Sequence, residues 1–375
     1  MPSGFSIENI STQRLDIPFS QPIRMSFGEL DRLNLVLVRL TDVQGVVGYG
    51  EATIMGGPYW GPESIEAVQV AIDRYLAPHI TNVRFAGIEE FSHRLARLVR
   101  GNAAARSALE MAAFDLLGHQ QQMSVKNLLG GCCRDRVEVA WTLSTGSEAG
   151  DILEGEHAML SRGHRRFKLK FGQGKADEEL ARIVGIAEAF RGRATIILDI
   201  NQGWDLTTAL RYFPVLEEAG IDCIEQPLPM TDHQGAARLR SSSTMDIIAD
   251  ESLVDLRSTF EVARTGAASA VSLKPNRDGG LLASRRIACV AAAAGLKLYG
   301  GTSLESSLGT AASLHLYSSL PELQLGSELF GPLRLQTDIV KERLLPRNGG
   351  LKAPCGPGLG VVIDEDMVRT LRFQS

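Results

Sequence analysis

The stretch Phe167-Lys168-Leu169-Lys170-Phe171 sets two lysines one residue apart in an otherwise apolar run. Side chains alternate along a β-strand, so as a strand it places Lys168 and Lys170 on one face and Phe167, Leu169 and Phe171 on the other. The turn-prone Arg162-Gly163-His164 before it and Gly172-Gln173-Gly174 after it bound such a strand. Two ammonium groups on one face repel each other, and burying that face costs free energy unless anionic partners compensate. An isolated Lys-x-Lys is most often a solvated surface face. The sequence on either side argues otherwise.

From Val137 onward, short apolar runs alternate with amphipathic ones. The strand candidates are Val137–Leu143, Arg166–Phe171, Thr195–Ile200, Cys223–Gln226, Asp246–Ala249, Ala270–Leu273, Lys297–Tyr299 and, more weakly patterned, Leu323–Leu325. Helical periodicity fills the intervals, as at Glu178–Arg191, Thr207–Ala219, Arg257–Thr265 and Leu281–Ala294. Buried strands alternating with helices predict parallel βαβ units, and seven or eight in succession predict a closed β/α barrel. A doubly wound sheet is the alternative, but no G-x-G-x-x-G follows an early strand.

Upstream, Ile7–Ile17, Leu33–Leu40 and Gly48–Ala52 read as three strands, the last two joined by a turn at Thr41–Gly45. A loop rich in glycine, proline and aromatics follows at Ile54–Pro62, a composition that suits a lid. Helical patterns at Ser64–Leu76, Ile88–Val99 and the alanine-rich Asn102–Gln121 complete an α+β domain over residues 1 to about 130. The barrel then spans 131–350, and a tail from about 351 to 375 is expected to return to the first domain.

A chain of 375 residues with 44% hydrophobic and 22% charged residues is an ordinary globular composition. A net charge of −5 argues against nucleic-acid binding. No apolar run is long enough to span a bilayer, and the N-terminus lacks a signal-peptide pattern, so a cytoplasmic protein is expected. Five scattered cysteines without C-x-x-C spacing fit free thiols.

In such a barrel the reactive groups gather at the C-terminal ends of the strands. Those ends carry Lys168 and Lys170, then Asp199-Ile200-Asn201, Glu225-Gln226-Pro227, Asp250-Glu251-Ser252 and Lys274-Pro275-Asn276. Any one of these acids alone is commonly a helix N-cap, and Asp250 before Ser252 could be one. Ionisable residues recurring at the same place in successive units are hard to explain as independent caps. Three carboxylates without His or Cys make an all-oxygen set suited to Mg²⁺ or Mn²⁺, with lysines on opposite sides of it.

This pattern resembles the enolase superfamily in its muconate-lactonizing-enzyme subgroup. The likeness includes Val137–Thr142, Tyr299-Gly300-Gly301-Thr302, Glu328-Leu329-Phe330-Gly331-Pro332, Gly48–Ala52 and Leu128–Gly131, and those stretches resemble muconate and chloromuconate cycloisomerases in particular. The resemblance implies a modified (β/α)7β barrel of the TIM type under an N-terminal α+β capping domain. It implies Mg²⁺ or Mn²⁺ on Asp199, Glu225 and Asp250, an acid/base pair of Lys170 and Lys274, and Lys168 beside them. With it come substrate contacts from Ile54, Tyr59, Asn201 and Glu328, and support for the ligands from Glu251.

The chemistry expected on this resemblance is conversion of cis,cis-muconate or a substituted muconate to a muconolactone in a homo-oligomer acting on a small carboxylate. A proton beside a carboxylate is barely acidic until a metal stabilises the enolate, and a lysine acts as base only if its pKa is lowered, which Lys168 and the cation would do to Lys170. Lys274-Pro275 with Arg277 and Gly279-Gly280 resembles instead o-succinylbenzoate synthases and N-acylamino acid racemases of the same subgroup. A racemase, epimerase or synthase therefore stays open as an alternative, as does a non-catalytic acid-binding barrel. None of the seven histidines falls at a barrel-strand end, and none is assigned a role, His233 being read as lying in the loop after the fourth strand.

Overall fold

Alternating apolar residues draw the first part of the chain into a long antiparallel hairpin. In the computed structural model, which describes residues 4–25, 28–59, 61–172 and 174–373, β1 (Phe5–Ser6) is followed by β2 (Asn9–Met25), β3 (Gly28–Thr41) and β4 (Val47–Thr53). Strands β2 and β3 run well beyond the expected Ile7–Ile17 and Leu33–Leu40, with a register shift between Pro18 and Ile23, where proline cannot donate to the ladder. Strand β3 is buried on both faces: Val36, Val38 and Leu40 enter the core of the N-terminal part, while Leu33, Leu35 and Leu37 enter the larger core shared with the rest of the chain.

Helices α1 (Ile65–Val70) and α2 (Ala77–Ile80), β5 (Arg84–Phe85), α3 (Ile88–Leu98), α4 (Ala103–Gln121) and α5 (Val125–Leu128) follow. The helix expected over Ser64–Leu76 is capped by the Ser64 hydroxyl but passes through a π-helical turn at Ala71–Leu76 before α2. The alanines of α4 and the glycines of β4 explain each other. A Cβ on Gly48 would sit 2.3 Å from Ala112 O and one on Gly50 2.1 Å from Ala108 O, so helix backbone lies directly on strand backbone.

The second part begins with β6 (Val137–Glu138) and β7 (Trp141–Thr142), then α6 (Glu148–Arg162), β8 (Arg166–Lys170), α7 (Ala176–Phe190), β9 (Thr195–Asp199), α8 (Leu206–Ala219) and β10 (Cys223–Glu225). It continues with α9 (His233–Arg240), β11 (Asp246–Ala249), α10 (Leu256–Thr265), β12 (Ala270–Leu273), α11 (Pro275–Asp278), α12 (Leu281–Ala293), β13 (Lys297–Gly300) and α13 (Ser307–Ser319). Strands β7 to β13 form one parallel seven-stranded sheet in sequence order. The protein is thus an α/β fold, its units punctuated by side-chain caps from Ser147, Asp205, Asp232 and Asp255 and by left-handed glycines at Gly163, Gly220 and Gly266.

Several expectations need correction. The run Val137–Leu143 is two pieces, because β6 leaves the parallel sheet to pair antiparallel with β14 (Gly350–Leu351), which follows α14 (Gly331–Arg334). No strand forms at Leu323–Leu325; instead Ser327 makes parallel bridges to Gly300 and to Val139. His233 is the first residue of α9, not a loop residue, and the cap of α10 is Asp255, which leaves Asp250 free of that duty. The chain ends with α15 (Glu365–Thr370), after which Phe373 N–H donates to Arg14 O at 3.0 Å; Asp16 N–H donates to Leu371 O at 2.9 Å. All five cysteines are free thiols, with only Cys223 buried. Among the described residues no helix is long and apolar enough to cross a membrane.

Candidate active site

Parallel register does the first part of the assembly. Lys170 lies opposite Asp199, and Asp199 opposite Glu225, so the ends of β8, β9 and β10 set these groups side by side. Asp250 follows β11 and Lys274 follows β12. Lys170 and Lys274 therefore flank three consecutive strands that each end in a carboxylate.

The face carrying Lys168 is buried, and the compensation it needs is present. Lys168 Nζ lies 3.1 Å from Asp199 Oδ2, 2.9 Å from Glu225 Oε2 and 2.5 Å from Glu328 Oε2, with the Tyr299 ring centroid 5.7 Å away. Lys170 Nζ donates to Asp199 Oδ2 at 2.5 Å and to Asn201 Oδ1 at 3.0 Å. Lys274 Nζ donates to Asp250 Oδ2 at 2.7 Å, and Arg277 Nη1 takes the other oxygen, Oδ1, at 2.6 Å. The lysines differ in access: the side chain of Lys168 is 1% exposed, that of Lys274 17% and that of Lys170 30%.

Burial and charge oppose each other throughout. Burial alone would push the Lys168 ammonium down, but Asp199, Glu225 and Glu328 together hold its pKa well above the ordinary lysine value. Burial would raise Asp199, yet Lys168 and Lys170 outweigh it and hold it low; Lys274 and Arg277 do the same for Asp250. Glu225 is the exception. Burial, reinforced by Asp199, Asp250 and Glu328, lifts it to about 8 against the pull of Lys168. One ammonium serves three carboxylates, and Glu225 is the one that receives no hydrogen bond.

That orphaned carboxylate bears on whether a metal suits the site. Both Glu225 oxygens are buried without a hydrogen-bond partner, between the carboxylates of the neighbouring strands. As the side chains stand, no three His, Cys, Asp or Glu residues among those described converge on one metal position. Ammonium groups lie against the carboxylates instead. The donor set itself, three acidic side chains with no softer ligand, fits a hard divalent cation.

Neighbouring residues hold this arrangement. Asn201, left-handed at φ 46°, passes its amide to Glu251 Oε1 at 3.1 Å, and burial together with Asp250 and Asp199 lifts Glu251 to about 7. Gly301 leaves the room Lys274 needs, since a Cβ there would lie 2.7 Å from Lys274 Cε. Arg277 also donates to Ser272 O at 2.6 Å and to Asp278 Oδ1, while Asp278 Oδ2 accepts the Lys274 N–H at 3.0 Å. Arg277 and Tyr299 as partners of the cluster were missed in the sequence. Arg277 lies three residues past Lys274, on a short helix whose existence single-strand patterning does not reveal.

Of the expected substrate contacts, Glu328 turns to Lys168 and Asn201 to Lys170. Ile54 is half-buried against the N-terminal core, directly after Thr53, which exchanges two hydrogen bonds with Asn276. Tyr59 ends a short 3₁₀ turn at Gly57–Tyr59 and is 83% exposed. Trp60 and Gln173 lie outside the described residues. His164 and His315 are buried and bond backbone carbonyls away from the charged cluster.

By its family matches the chain, with a parallel α/β sheet bearing acids on three successive strand ends between two lysines, belongs to the mandelate racemase/muconate lactonizing enzyme family of the enolase superfamily. The family's "Mandelate racemase / muconate lactonizing enzyme, N-terminal domain" matches residues 9–130, and "Enolase C-terminal domain-like" matches residues 153–367. Within it, the chain is 40% identical to chloromuconate cycloisomerase of Cupriavidus necator, over 97% of this chain and 98% of that protein. It is 41% identical to muconate cycloisomerase 1 of Pseudomonas putida, over 96% and 95% of the two chains. The crystal structure of muconate lactonizing enzyme from Pseudomonas fluorescens complexed with muconolactone has a TM-score of 0.95 at 40% identity, covering 98% of this chain and 100% of that one. For 2-chloromuconate cycloisomerase from Rhodococcus opacus the TM-score is 0.93 at 36% identity, covering 98% and 100%. These relatives are isomerases, intramolecular lyases by reaction type.

Proposed function

We propose that this chain is a metal-dependent cycloisomerase that closes cis,cis-muconate or a substituted muconate to a muconolactone. The observation that carries the reading is the placement of Lys170 and Lys274 on either side of Asp199, Glu225 and Asp250. Full-length similarity to muconate and chloromuconate cycloisomerases supports it. Mg²⁺ or Mn²⁺ held by the three carboxylates would supply positive charge where the substrate's carboxylate becomes electron-rich.

The chain's own residues do the rest. Addition of one substrate carboxylate oxygen across a double bond leaves a carbon that needs a proton. Lys170 Nζ, the most accessible of the three lysines, delivers it, and Lys274 faces the same carbon from the other side and steadies negative charge. Lys168, sealed among three carboxylates, holds those acids together. Ile54 and Tyr59 line the substrate from the loop above, and Asn201 and Glu328 orient Lys170 and Lys168 around it, with Glu251 behind Asn201.

The Ser327 bridges to both Gly300 and Val139 support a closed, modified (β/α)7β barrel over 131–350. Residues 1–130, rejoined by about 351–375, are the α+β capping domain in this reading. We place the enzyme in the cytoplasm as a homo-oligomer in aromatic hydrocarbon catabolism, acting on a small carboxylate without nucleic-acid or membrane partners. The test is loss of muconate and appearance of lactone with Mg²⁺ or Mn²⁺, abolished by chelation and restored by the metal. Full activity in the metal-free protein, or racemisation of N-acylamino acids faster than lactonisation, would overturn the proposal.

A further inference from the structure

Trp141 points away from the charged cluster. Its strand neighbour Thr142 pairs in register with Lys168, whereas the Trp141 ring packs edge-on against His164 at 5.1 Å, and its indole N–H donates to Glu154 Oε1 on α6 at 2.9 Å. Helix α6 packs against α7, and the four-residue α14 ends at Arg334, which shares a cavity lining with residues of α6. A cavity of about 540 Å³ remains, lined among others by Trp141, Leu153, Glu154, Arg162 and Arg334. That volume is in the range of small-molecule sites.

Its charges are incompletely used. Arg334, half-buried, makes no hydrogen bond and no ion pair with any described residue. Burial pushes its pKa down, opposed among the described residues by Glu154, already engaged by Trp141. Arg162 lies 4.7 Å from the Trp141 ring centroid, its guanidinium over the indole. Leu153, 73% exposed, extends the apolar wall. Two guanidiniums lining one groove, one of them over the indole, suit a flat apolar body ending in one carboxylate, which a guanidinium binds with two parallel hydrogen bonds. Glu154 in the wall disfavours a polyanion.

We propose that this groove is a binding site for a small aromatic monocarboxylate, separate from the barrel-mouth site. The test is calorimetric titration of the full-length protein with benzoate, in the presence of saturating muconolactone to block the barrel mouth. Saturable binding with a Kd of about 1 mM or tighter is expected. Arg334→Gln and, independently, the exposed Arg162→Gln should each weaken it about tenfold, with lactonisation unchanged. Inorganic phosphate should bind far more weakly. The proposal is overturned by absence of saturable benzoate binding, by phosphate binding as well as benzoate, or by affinity unchanged in both variants. A change of subunit assembly in Arg162→Gln would overturn it too, because the groove would then be a contact between copies.

Discussion

Ser306 binds Glu51 through both its backbone and its side chain: its N–H donates to Glu51 Oε1 at 2.9 Å and its hydroxyl to Oε2. Glu51 lies on β4 and Ser306 caps α13, so this pair ties the N-terminal sheet to the helix after the last parallel strand. Burial, with the nearby Asp338 and Glu305 adding like charge, lifts Glu51 to about 8 although Ser306 opposes the shift.

The pair predicts a pH dependence of stability. The folded protein holds the Glu51 proton up to about pH 8, whereas the unfolded chain releases it near 4.3. Its contribution is therefore fully present below the unfolded pKa and is lost as pH rises through the folded one. Every tenfold difference in proton affinity between the two states is worth about 1.4 kcal/mol, so the loss is of the order of a few kcal/mol. Glu51→Gln mimics the protonated group. Denaturant unfolding between pH 5 and 9 should show a shallower decline in this variant; equal slopes would contradict the assignment.

Glu225→Gln removes the ionisable oxygen pair of the most weakly compensated acid of the cluster. Calorimetric Mg²⁺ or Mn²⁺ titration should show affinity lower by at least about tenfold, since even partners of metal ligands are commonly worth 10–100-fold. The fold should survive, because the replacement is isosteric and the native carboxylate is costly to ionise. Unchanged affinity would remove Glu225 from the ligand set.

Lys170→Ala and Lys274→Ala separate the two flanking lysines. Loss of the proton donor should lower the rate by about 10²–10⁴-fold. Lactone formed in D₂O records which face received the deuterium. Delivery on the same face as the added oxygen, with Lys170→Ala the more damaged variant, is expected. Delivery anti to that oxygen, with Lys274→Ala inactive, would transfer the role to Lys274.

Tyr59→Ala tests the loop. Tyr59 is exposed, so its removal should change stability by no more than about 0.5 kcal/mol while shifting KM or the preference among substituted muconates. A melting-temperature change with kinetics unaltered would make the residue a packing element.

Strand periodicity and the repeated acid or base at each strand end were readable from the sequence alone, because both depend on local order. The period of two places Lys168 with Lys170, and the βα repeat places Asp199, Glu225, Asp250 and Lys274 at equivalent positions. Strands β8 to β13 form where they were expected for the same reason: each is a short apolar run between turn signals. The break of Val137–Leu143 into two strands and the replacement of Leu323–Leu325 by bridges at Ser327 depend on partners far along the chain, β14 and β13, which no local pattern specifies. The pairing inside the cluster is likewise tertiary. Which carboxylate faces Lys168, that Glu328 turns to it from 160 residues away, and that Arg277 takes the second oxygen of Asp250 are settled only when buried charges must find partners or remain uncompensated in a medium that screens them poorly.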